Sequence, residues 1–138
     1  MSGLLLTNLL ATWAMVGVIW TVHIVHYPLM AYTGPEHSAA YQQRHVRQIS
    51  LLVVPLMSIE AIAAVAIFIS QPGILSLVGV ALLVGIWGVT GAMSVPAHDR
   101  LQFGYRREPF KLLMKSNFFR TALWSLRGCV VVAMVVMA

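Results

Sequence analysis

The sequence predicts an all-α integral membrane protein, an antiparallel four-helix bundle occupying residues 1–138 as one domain, on three observations. The chain is 59% apolar and carries only nine basic and four acidic side chains, too few to cover a water-soluble globule of 138 residues. Four apolar runs each approach the roughly 20 residues that a helix needs to cross about 30 Å of hydrocarbon. None of the nine basic residues lies before residue 28, between 70 and 73, or after 127.

The first run, residues 4–27, is too long for a signal-peptide core and lacks a basic start, so it reads as a retained helix. A polar connection, 28–49, leads to the second run, 50–69. Ser70-Gln71-Pro72-Gly73 then makes a tight helix-to-helix turn into the third, 74–95, which ends at Pro96. The second polar connection, 96–116, mixes Leu101, Phe103, Tyr105, Phe110, Leu112 and Leu113 with charges, the pattern of a short interfacial helix. The fourth run is 117–137.

Because cytoplasmic loops retain Lys and Arg, both long connections are expected in the cytoplasm, with the N- and C-termini outside, in what reads as a bacterial inner membrane. A net charge of +5 placed in loops between apolar runs serves orientation against the lipid bilayer, so no nucleic-acid partner is expected. Cys129 is the only cysteine, which excludes an internal disulfide. With no Gly-rich phosphate loop, GxSxG elbow or paired CxxC, nucleotide enzymes and hydrolases are not expected.

Alternating helix directions bring the end of the first helix, the start of the second, the end of the third and the start of the fourth to one membrane face. His23, His26, His37, His45 and His98 all fall there, with Asp99, Asn117 and Arg120. His23 and His26, three apart, are expected to share a face with Trp20. His23, His26, His45 and His98 can supply nitrogen ligands to iron, copper or zinc, or axial ligands to a haem. His23, His26, His98 and Arg120 are the candidate catalytic residues, and Trp20, Tyr27, Asn117 and Trp124 the candidate walls of a cofactor or substrate pocket.

On the fourth helix Asn117, Arg120, Thr121, Trp124, Arg127 and Gly128 form one stripe at helical spacing, expected to face the bundle. Arg127 lies about 15 Å inside its boundary, where a charge needs a partner. Glu60, the only acid within any apolar run, lies at matching depth, so a structural Glu60–Arg127 ion pair is expected. Gly85, Gly88 and Gly91 on the third helix read as a close-packing surface.

Pro96-Ala-His98-Asp-Arg-Leu101, followed by Asn117, Arg120, Trp124 and Arg127, resembles the anthrone-oxygenase-like family of small four-helix membrane proteins, over mainly the C-terminal half. A weaker likeness is to the small membrane protoporphyrinogen oxidases. The resemblance implies a membrane oxidoreductase or oxygenase. The functional expectation is a membrane-embedded redox or cofactor-binding protein acting on a hydrophobic aromatic or quinone-like small molecule in a cytoplasm-facing, histidine-lined pocket. The competing expectation is a non-catalytic accessory or assembly subunit of a larger membrane complex, or a homo-oligomer, whose polar stripes serve only helix packing.

Overall fold

Helix boundaries follow from local chemistry. The Ser2 hydroxyl accepts from the Leu5 N–H and starts the first helix. Gly34, then Pro35 in the first turn with Glu36 beside it, starts the second. The Gly73 N–H donates to the Ser76 hydroxyl at the start of the third, and extended Arg106 precedes the fourth, with Glu108 in its first turn. In this computed structural model, which describes residues 2–138, the four helices are α1 (Gly3–Met30), α2 (Pro35–Ser70), α3 (Ile74–Leu101) and α4 (Arg107–Val136). Each is long and apolar enough to cross a membrane.

The polar connections are shorter than the sequence suggests. Residues 28–49 and 96–116 are largely helical, which leaves only 31–34 and 102–106 as linkers. Hydropathy marks where lipid-compatible residues stop, whereas the helix runs on to its cap. At 36 residues α2 is about 54 Å long, so its first turns carry Arg44, His45 and Arg47 beyond the apolar part of the bundle. In the 102–106 linker Gly104 takes φ 122°, a left-handed conformation, and the Tyr105 N–H donates to the Ser38 hydroxyl at 3.1 Å, tying the linker to α2.

Both α1 and α3 widen into a single π-turn, at Val22–His26 and Thr90–Ser94. Each π-turn ends two residues before a proline, Pro28 and Pro96. A proline lacks the N–H for the regular ladder and crowds the carbonyl four residues back, and a widened turn relieves both faults.

The centre holds a buried polar network joining all four helices. Arg127 Nε donates to Glu60 Oε1 at 2.7 Å, Nη1 to the Gly79 carbonyl at 2.6 Å and Nη2 to Asn8 Oδ1 at 2.8 Å. The Thr12 hydroxyl donates to the same Glu60 oxygen at 2.8 Å, and the Trp124 indole to Oε2 at 3.1 Å. Both ions are almost fully enclosed, at 1% and 0% exposure, a state that is tolerable only because their hydrogen-bonding capacity is met. Around it pack Met15, Val16, Ile19, Met57 and Ile86.

Gly79 is the glycine that close approach requires: a Cβ there would lie 3.2 Å from Arg127 Nη1. The expected Gly85-Gly88-Gly91 surface does not play this part. Nothing lies within 4 Å of a Cβ at Gly88 or Gly91, and Gly85 meets only Leu123. Gly79→Ala is expected to lower stability by about 1–3 kcal/mol through overpacking, measured as thermal unfolding in mild detergent. Gly88→Ala should leave the melting temperature unchanged or raise it.

Candidate functional site

The stripe on α4 faces inward: Asn117, Arg120, Thr121, Trp124, Arg127 and Gly128 are all buried. Towards the basic end of the bundle it meets a cavity of about 220 Å³. Met15, Ile19 and Val22 of α1 and Val53 and Met57 of α2 give it an apolar wall, and Tyr27, His98 and Arg120 a polar one.

Arg120 is 7% exposed, and among the described residues no carboxylate lies within ion-pair distance of it. Its Nε is buried without a hydrogen-bond partner. The guanidinium rests over the Trp124 ring, whose centroid lies 5.2 Å from the guanidinium carbon. The indole N–H of that ring is in turn fixed by Glu60. The central network therefore positions the Trp on which Arg120 rests.

His98 is held at both ring nitrogens. The Tyr27 hydroxyl lies 2.9 Å from Nε2, and the amide nitrogen of buried Gln42 hydrogen-bonds Nδ1. Beyond His98 a line of rings continues along the interior. His45 lies 5.6 Å from His98 between centroids, His26 stacks on His45 at 4.2 Å, and the Tyr41 hydroxyl lies 3.5 Å from His26 Nδ1. Nε2 of both His26 and His45 is buried without a partner.

The structure thus brings Tyr27, His98 and Arg120 to one cavity, sets Trp124 beneath Arg120, and stacks His26 and His45 alongside. It does not bring His23 there. The π-turn at Val22–His26 advances the chain less per residue around the axis than a regular helix does, so residues three apart diverge. His23 turns to α4, with Nδ1 at 3.2 Å from the Asn117 amide and its ring against Phe118, while His26 turns to α2. Trp20 lies half-exposed on the outer face of α1, its indole donating to Ser125 at 3.0 Å, and does not line the cavity. His37 is exposed beside Glu36.

A four-histidine metal site is therefore not assembled. Among the described residues no three His, Cys, Asp or Glu side chains are grouped to hold a metal ion. The one histidine on the cavity wall has both nitrogens engaged, so these residues do not fit an axially ligated haem either.

Tyr41 and Gln42 are not among the sequence-predicted site residues, because residues 28–49 lack the apolar run that marks a span. Gly34-Pro35-Glu36 was the legible signal that the helix begins earlier, and it places Gln42, His45 and Ile49 at i, i+3 and i+7 on one face. Asn8 and Thr12, an i, i+4 polar pair within an apolar run, likewise marked where the Glu60–Arg127 network reaches α1.

Comparison with protein-family models, with curated proteins and with solved structures gives no match for this chain.

Proposed function

We propose that this protein is an antiparallel four-helix bundle inserted in a membrane, and that it binds a hydrophobic aromatic or quinone-like molecule through a carbonyl or anionic oxygen in the cavity beside Arg120. The observation that carries the reading is a buried guanidinium with no carboxylate within ion-pair distance, facing a space lined mainly by apolar side chains. Burying an arginine among apolar side chains without a counter-charge is costly, and a ligand oxygen supplies the missing acceptor. Tyr27, backed by His98 and Gln42, is a second hydrogen-bonding group for that oxygen. At about 220 Å³ the cavity is smaller than the roughly 300–1,000 Å³ usual for small-molecule sites, which limits the bound part of the ligand to a one- or two-ring headgroup. The resemblance to the anthrone-oxygenase-like family points to the same ligand class of flat aromatic carbonyl compounds.

The test is titration of the purified protein in lipid nanodiscs with a methylnaphthoquinone, followed by tryptophan quenching, against methylnaphthalene as a carbonyl-free control. The quinone is expected to bind more tightly by at least about tenfold, because the hydrocarbon leaves Arg120 unpaired. Equal affinities would overturn the reading.

The cytoplasmic placement of the basic end is part of the same proposal. In a Cys129→Ala background, a membrane-impermeant maleimide applied to intact cells is expected to label Gly73→Cys and spare Phe103→Cys. The reverse pattern would invert the orientation.

A further inference from the structure

We infer that the ligand enters the cavity sideways from the bilayer, through an opening between α2 and α3 framed by Val46, Ser50 and Val54 on one side and Val95 and Asp99 on the other. This rests on the ligand reading above and adds the route and the physical state of the ligand: a membrane-dissolved molecule rather than an aqueous one.

The cavity is lined mostly by buried side chains on the α1 and α4 sides, with Val18 half-buried. Met15, Ile19, Val22, Tyr27 and Arg120 are all buried there, none more than 8% exposed. On the α2 and α3 sides Val54 is 58% and Val95 48% exposed, although both line the same space. The rim residues fall four apart, 46-50-54 on α2 and 95-99 on α3, so each set forms one edge of a slot along its helix.

Backbone chemistry explains why the helices part here. Pro55 lies within α2 beside Val54 and cannot donate to the ladder. Facing it, α3 carries the Thr90–Ser94 π-turn and then Pro96, which flank Val95. The slot is graded along its length. Val54 and Val95 make an apolar mouth inside the spans, while Asp99 lies towards the basic end and anchors the Gln102 side chain at 3.3 Å. A ligand passing between the valines meets Arg120 on the far wall, so oxygen-first entry leads straight to the proposed acceptor position. On the opposite flank lies a groove between α1 and α2, bordered by Ala14, Gly17 and Leu52, whose lining shares Val18, Val22 and Ile49 with the cavity.

A route alters rates and leaves the equilibrium alone. In nanodiscs, the double variant Val54→Phe/Val95→Phe is expected to slow both association and dissociation of the methylnaphthoquinone by about tenfold, with Kd changing by less than either rate. Val95→Ala should speed both, and Gly17→Leu, which fills the opposite groove, should change neither. A second readout needs no quinone. In a protein retaining Trp124 as its only tryptophan, a bromoalkane dissolved in the bilayer should quench Trp124 fluorescence, less in Val54→Phe/Val95→Phe and more in Val95→Ala. A changed Kd at constant association rate, slowing by Gly17→Leu, or bromoalkane quenching indifferent to the rim variants would each overturn the entrance. A wild-type protein that ignores the quinone, with quenching still governed by the rim, would sink the ligand and keep the opening.

Discussion

Glu60→Leu is expected to be the most damaging single substitution in the chain, lowering stability by about 3–5 kcal/mol, as removal of one member of a buried ion pair does. It strands the Arg127 guanidinium, which keeps its charge under any physiological condition, with only the Gly79 carbonyl and Asn8 as partners. It also leaves the Thr12 hydroxyl and the Trp124 indole without their acceptor. Arg127→Leu should be less severe, because a carboxyl can take up a proton and Thr12 and Trp124 still donate to it. The double variant Glu60→Leu/Arg127→Leu should recover more than half of the Glu60→Leu loss, since no charge then remains to be buried. Thermal unfolding of the four proteins in mild detergent gives the cycle. Additive losses would mean that the two side chains are energetically independent.

Arg120→Met is expected to do the opposite. Ligand affinity should fall by about 10- to 100-fold, the worth of a charge-assisted hydrogen bond in a dry site, while the melting temperature stays level or rises. The substitution removes a buried cation that has no carboxylate and an unpartnered Nε, at the loss of one stacking contact with Trp124. Two arginines on one helix, seven residues apart, should therefore separate cleanly. Loss of Arg127 is expected to cost stability, and loss of Arg120 to cost ligand affinity. Quinone titration and thermal unfolding of the same preparations decide it, and a large fall in melting temperature for Arg120→Met would make Arg120 a structural residue.

This contrast was only half legible in the sequence. The four apolar runs and the inward α4 stripe could be read because hydropathy and helical spacing are local properties. Glu60 and Arg127 could be matched because depth follows from counting along a helix. Rotation about each helix axis does not follow from counting, and there the reading failed. The expected His23–His26–Trp20 face assumed a regular turn, and the π-turn before Pro28 sends His26 to α2, while His23 and Trp20 keep an edge contact at 6.4 Å between ring centroids and both reach α4. The glycines went wrong for a related reason: three evenly spaced glycines resemble a packing surface, yet the close approach is at Gly79, where an arginine from another helix needs room. Depth along the helix is what separates Arg120 from Arg127 in the sequence, since only Arg127 lies level with Glu60. That distinction depends on which of them Glu60 reaches.

The Glu60–Arg127 pair also has a place in time. Its members lie 67 residues apart, and the chain is made from its N-terminus at about 5–20 residues per second. By that arithmetic Glu60 leaves the ribosome roughly 3–13 seconds before its arginine does. Through that interval α1, α2 and α3 carry an acid with no cation to answer it, and only the last helix completes them. Any product that stops short of α4 carries the Glu60 carboxyl in an apolar stretch without its arginine or the Trp124 indole, so unfinished chains differ from finished ones at the centre of the bundle.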